Sequence, residues 1–208
     1  MILGIDHLQI NTNDITKSSK ILLVNGYNLA FQEKIKNNLG KKLFLNNYHE
    51  NHEIAYFEPI GDTFPIELTD HISNLAGSKT PISYSGSTIF LKIENINSEQ
   101  TFWQELLGVT FDEDLISFHS FLPKRSFNLK LIHIKENSTY SLDTNGCTSI
   151  ALITSNIHKV LNKLIEKKLI IDYINPWQAS VNDNSLIIAM LKNHNGIIVE
   201  LIQLEKNG

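Results

Sequence analysis

Residues 5–11, Ile-Asp-His-Leu-Gln-Ile-Asn, alternate with the period of two that marks a half-buried strand. Ile5, His7, Gln9 and Asn11 fall on one face, and Asp6, Leu8 and Ile10 on the other, with Leu8 and Ile10 giving the hydrophobic side. Asp14 or Thr16 caps a short helix running toward Val24, and Asn25-Gly26 supplies the residue types that end a helix in a left-handed turn. Three strand-like stretches follow, over 28–35, 53–58 and 64–70, the last two parted by the turn residues Pro59, Gly61 and Asp62. The pattern predicts a β-α-β-β-β unit.

The same order returns twice. Residues 88–93 read as a strand, Ser98 caps a helix over 99–107 that Gly108 stops, and strands follow near 109–112, 115–121 and 127–134. A third round opens with a strand over 147–154. Ser155 or Asn156 then caps a helix whose apolar residues Ile157, Val160, Leu161, Leu164 and Ile165 keep helical spacing. That helix ends in Lys167-Lys168, favourable at the negative end of its dipole, and strands over 186–191 and 197–204 flank the turn Asn193-His194-Asn195-Gly196. A repeat of about 60 residues implies units that share cores. The expected division is a first unit over 1–72, a linker over 73–85 rich in Ser, Gly, Thr and Pro, a second unit over 86–137, and a third over 146–206 paired with the second.

Composition narrows the function classes. With 208 residues, 42% of them hydrophobic and 19% charged, the chain can bury a core, and extended disorder is not expected. Its longest apolar run, 186–191, is far short of the roughly 20 residues a membrane helix requires. No secretory leader is legible at the N-terminus, and the single cysteine, Cys147, suits a reducing compartment, so the expected location is cytoplasmic. The net charge is -4 and Arg125 is the single arginine, a balance that argues against a nucleic-acid surface. No phosphate loop, GxGxxG or Ser-His-Asp spacing is present, and Cys147 has no general base beside it in sequence.

Three stretches carry a resemblance. Gly4-Ile-Asp-His-Leu-Gln-Ile-Asn-Thr-Asn-Asp14 is similar to the opening strand of the glyoxalase, or vicinal oxygen chelate, superfamily; Phe102-Trp-Gln-Glu-Leu-Leu-Gly108 resembles its helix end; Lys192-Asn-His-Asn-Gly-Ile-Ile-Val-Glu-Leu-Ile202 resembles its closing hairpin. The resemblance implies an α+β fold of curved mixed sheets with helices outside, two units pairing into a cup that holds a divalent metal (Zn, Fe, Mn, Ni or Mg). It places the ligands on first and last strands. His7, Thr88 and Ser149 are the first-strand positions of the three units, and Glu67, Lys130 and Glu200 the last-strand positions. Units two and three would offer Thr88, Lys130, Ser149 and Glu200, which is no metal set, because an ammonium repels a cation. Units one and three would offer His7, Glu67 and Glu200, an imidazole and two carboxylates.

Two functions follow as expectations. The first is a metal-dependent isomerase, lyase or dioxygenase acting on a small oxygen-rich molecule, with Glu200 as catalytic base. The second is a metal-free binding or drug-sequestering protein in which Thr88, Lys130 and Ser149 hydrogen-bond the ligand, with Lys130 also a candidate ion pair for Glu200. In both, Trp177 is expected on a loop over the cavity. His71 is a ligand of last resort, and His49, His52, His119, His133, His158 and His194 receive no role. An odd number of units leaves one sheet open. Either the first unit pairs with its copy in a homodimer, the expected case, or the units pair in an unusual order within one chain.

Overall fold

The structure, a computed structural model, describes residues 1–35, 39–71, 80–135 and 140–205. The first unit comprises β1 (Ile2–Asn11), α1 (Ile15–Val24), β2 (Tyr27–Ile35), a 3-10 turn (Leu39–Phe44), β3 (His52–Pro59) and β4 (Ile66–Thr69). The second comprises β5 (Ile82–Ser85), β6 (Thr88–Ile93), α2 (Ile96–Leu107), β7 (Leu115–Phe118) and β8 (Phe127–His133). The third comprises β9 (Gly146–Thr154), α3 (Ile157–Glu166), β10 (Ile170–Val181), β11 (Asn184–Asn193) and β12 (Ile198–Leu204). Each helix starts where a short polar side chain accepts from a backbone N–H three residues on. Asp14 accepts from Lys17, Asn95 from Ser98 and Asn156 from Lys159. Asn95 rather than Ser98 caps α2, so that helix begins three residues earlier than its pattern suggests.

Eight strands form one sheet in the order β10-β11-β12-β9-β1-β4-β3-β2. Its centre is the antiparallel pair β1·β9, and each of those strands has its own unit's last strand, β4 or β12, parallel on its other side. The third unit therefore joins the first, not the second. The reason lies at residues 82–85, expected as linker. They form β5, which pairs antiparallel with β6 from Ile82 opposite Leu91 to Ser85 opposite Thr88. Strand β6 is the second unit's counterpart of β1 and β9, and it likewise has a parallel last strand, β8. Strand β5 thus fills the edge through which the other two units meet. The second unit keeps a separate four-stranded sheet, β5-β6-β8-β7. Pairing within one chain leaves the second unit, not the first, without a partner unit.

Two further differences come from turn chemistry. The stretch 109–112 forms only an isolated bridge, Asp112 with Leu115. Residues 170–181, unassigned by periodicity, form the long strand β10, because Asn182 and Asp183, at φ 47° and 61°, close a tight hairpin onto β11. The third unit is anchored to the second through Glu99 of α2, which is fully buried. The Glu99 carboxylate accepts from Trp103 Nε1 at 2.7 Å, Asn193 Nδ2 at 2.9 Å and Asn195 Nδ2 at 2.7 Å. One continuous apolar core, with Leu8, Trp103, Leu152 and Leu201 among its members, runs through all three units. Among the described residues no helix is long and apolar enough to cross a membrane.

Candidate functional site

The eight-stranded sheet holds a cavity of about 740 Å³ lined from both of its halves. His7 of β1, Glu67 of β4 and Glu200 of β12 line it. Register explains the meeting. His7 lies opposite Ala151 of β9, and Ala151 lies opposite Glu200, so only a methyl group separates the two polar side chains across the sheet. Glu67 lies opposite Gln9 on the other side of β1. A register slip between Ile5 and His7 puts consecutive residues Asp6 and His7 at the same cavity.

Each of the three principal side chains carries a buried polar atom without a hydrogen-bond partner: His7 Nε2, Glu67 Oε1 and Glu200 Oε2. His7 Nδ1 donates to Asp6 Oδ2 at 2.8 Å, while His7 Nε2 stands 3.9 Å from Glu67 Oε2, beyond hydrogen-bond reach. Burial alone pulls the His7 pKa down. Glu67, the bond to Asp6 and the charge of Glu200 outweigh it and carry His7 up to about 9. Burial raises the Glu200 carboxyl and Glu67 adds to the rise, against Lys41 and His7. Burial also raises Asp6, but its bond to His7 and the nearby Arg125 hold it below the usual carboxylate range. His7 and Glu200 therefore hold their protons more firmly than in water, while Asp6 releases its proton more readily.

The other wall contains residues that periodicity did not single out. Lys41, from the 3-10 turn, lines the cavity with Nζ 3.9 Å from Glu67 Oε1. His52, expected in a loop, opens β3 and lines the cavity with neither ring nitrogen partnered. The Tyr56 ring meets His7 edge-on at 5.6 Å and stacks on Phe31 at 5.3 Å. Trp177 does line the cavity, but from β10 rather than from a loop. The 3-10 turn lies directly on its indole. A Cβ on Gly40 would come within 2.6 Å of that ring, so no side chain fits there. Alternation from Ile54 to Tyr56 was the available signal for His52; nothing local marked Lys41.

The remaining expected contacts are elsewhere. Thr88 and Lys130 lie in the second unit's sheet and do not line the cavity; Lys130 is exposed 3.9 Å from Asp114, which removes it as the partner of Glu200. Ser149 is turned to Gln9, its hydroxyl donating to Gln9 Oε1 at 2.8 Å, because Gln9 and Ser149 are opposite one another in β1·β9. His71 is buried, and its ring stacks on His52 with centroids 4.4 Å apart. Cys147 is buried, and burial pushes its thiol up to about 12, which leaves it unreactive.

His7, Glu67 and Glu200 supply the atom types a divalent cation takes. Their arrangement does not supply a ready cage: among the described residues no group of three or more His, Cys, Asp or Glu is placed to hold a metal. The Lys41 ammonium beside Glu67 would also oppose a cation there. The unpartnered atoms instead present one nitrogen donor and two carboxyl groups to whatever enters the cavity.

No family model matches the chain, and no curated protein is similar to it in sequence. Among solved structures, methylmalonyl-CoA epimerase from Mycobacterium tuberculosis matches with TM-score 0.50 and 11% identity, over 98% of this chain and 89% of that one. A second methylmalonyl-CoA epimerase gives 0.47 and 12%, over 99% and 98%. Glyoxalase I from Zea mays gives 0.40 and 15%, over 96% and 67%. The first of these shows the fold, an α+β architecture of the glyoxalase and vicinal oxygen chelate type, and at that identity shows nothing of the reaction.

Proposed function

We propose that the protein is an acid–base enzyme, an isomerase or lyase, that binds a small oxygen-bearing molecule in the cup formed by the first and third units. The observation that carries this reading is the set of unpartnered atoms His7 Nε2, Glu67 Oε1 and Glu200 Oε2 at one cavity. A buried polar atom left unsatisfied costs about 1–3 kcal/mol, a cost a ligand relieves. Glu200, with its pKa raised, is suited to accept a proton and return it. In the proposed step a C–H bond beside a carbonyl breaks, and the proton forms an O–H bond on the Glu200 carboxylate. The electron pair moves to the carbonyl oxygen, which accepts a hydrogen bond from protonated His7 Nε2.

The test is solvent deuterium exchange into 2-substituted carbonyl compounds, followed by proton NMR. Glu200→Gln should slow exchange by about 100-fold or more. Absence of exchange, or exchange indifferent to Glu200, overturns the enzyme reading and leaves a binding protein. The donor chemistry of the same three side chains favours a second reading, a divalent-cation enzyme. Elemental analysis of protein purified without chelator or nickel decides it. One ion per chain, lost in His7→Ala, would make His7 a metal ligand in place of a hydrogen-bond donor to the substrate.

A further inference from the structure

We infer that Lys41 and His52 form an anion anchor at the cavity wall, and that the bound molecule carries a carboxylate seated on them. This rests on the cavity being a small-molecule site, and it adds the chemical class of the ligand. Lys41 has a side chain only 12% exposed, and among the described residues its carboxylate contact, Glu67 Oε1 at 3.9 Å, is too far for a hydrogen bond. Its ammonium has three donors to place. His52 is 5% exposed with both ring nitrogens unpartnered. Phe31, Ile35, Ile54 and Trp177 supply apolar surface to the same cavity, and Gln178, Ser180 and Asn184 supply polar surface.

The protonation states favour an anion. Burial, with Lys41 nearby, drives the His52 pKa down to about 3, so the ring is neutral and has one N–H to give. Lys41 and His52 together offer an ammonium and an imidazole N–H, a match for the two oxygens of a carboxylate. A cationic group is disfavoured by Lys41 itself. A metal shared by His52 and His71 is disfavoured by geometry. The rings stack at 30°, and nitrogen lone pairs lie in the ring planes, so they do not converge. His71 Nε2 is also engaged by Gln9 Nε2 at 3.4 Å. Gln9, braced by Ser149, helps fix the stacked pair against β1.

Propionate is the probe, with propionamide as its neutral isostere and inorganic phosphate as a second anion. Binding is read from the His52 Cε1 resonance and from Trp177 fluorescence in a Trp103→Phe background, with the Cε1 readout repeated in unaltered protein. Propionate is expected to bind about tenfold or more tighter than propionamide, and Lys41→Gln to abolish that preference. His52→Gln should weaken propionate by about tenfold. Lys41 lies in a surface turn, so its variant decides the matter if the His52 variant fails to fold. Equal binding of the amide, a preference that survives Lys41→Gln, or no saturable shift at His52 overturns the anchor. Tighter binding of phosphate overturns the carboxylate assignment. Propionate binding in protein that shows no proton exchange, or proton exchange in protein that does not bind propionate, separates this inference from the proposed reaction.

Discussion

Glu99 and Glu200 are both carboxylates taken out of water, and they differ in what surrounds them. Glu99 accepts hydrogen bonds from Trp103, Asn193 and Asn195, and burial still carries its pKa up to about 7. Glu200 keeps a buried oxygen with no partner and shares its cavity with Glu67 and His7. The desolvation penalty is common to both, but only Glu99 has its hydrogen-bonding capacity met by the fold. The satisfied carboxylate joins two units; the unsatisfied one faces space for a ligand. Buried charge alone does not mark a site, and unmet hydrogen bonding at a cavity does.

The two carboxylates should differ most in what they contribute to stability. Glu99→Ala strands the Trp103 indole N–H and the Asn193 side-chain amide, and should cost about 3 kcal/mol or more in urea unfolding. Glu200→Gln should stay within about 1 kcal/mol of wild type, because its oxygen supports no bond in the folded chain. A reversal of that order would break the comparison.

A second measurement sharpens it through pH. The His7 pKa is raised from 6.5 to about 9, so the folded protein holds a proton that the unfolded chain releases. The resulting stability is complete below pH 6.5 and is lost as pH rises through 9, a fall of about 3 kcal/mol. Glu99, raised from 4.5 to about 7, has the same sign over the window from 4.5 to 7. His52, lowered from 6.5 to about 3, has the opposite sign, its contribution being lost as pH falls below 6.5. The interval from pH 7 to 9 therefore reports His7 most cleanly. Urea midpoints of metal-free protein should decline there, and His7→Gln should flatten the decline. An unchanged slope in the variant would remove His7 from its proposed protonated role.

The smallest effect is at the surface. Glu105 of α2 sits 3.0 Å from Lys163 and 2.6 Å from Lys167, which brings α2 against the end of α3. Water and salt screen these exposed charges, so Glu105→Gln should be indistinguishable from wild type at physiological ionic strength. A clear destabilisation would show that the unit junction depends on more than Glu99.

Much of the fold was legible in local pattern. The period-two face of residues 5–11, the apolar stripe of α3 and the left-handed Gly108 correspond to β1, α3 and the end of α2. Strand β10 was not legible, because its exposed and half-buried residues alternate without a strong apolar face. Strand β5 hid in a stretch whose Ser, Pro and Gly content reads as linker. At the site, the resemblance singled out His7, Glu67 and Glu200, which the structure brings to one cavity. It also singled out Thr88 and Lys130, which the structure leaves in another sheet. Lys41 and His52 had no sequence signal for a shared wall, since a 3-10 turn and a strand end share no periodicity.

Three β-α-β units, their caps and turns, and the residue types on each strand follow from local sequence, because backbone propensity and side-chain alternation act over a few residues. Which units meet follows from pairing between strands far apart in the chain. That choice depended on β5 occupying the edge of β6, a competition for backbone hydrogen bonds between segments whose alternative partner, β9, lies some sixty residues away in the chain. The same choice placed Ala151 between His7 and Glu200 and left their polar atoms unmet, since register across strands from distant units sets which side chains share a cavity.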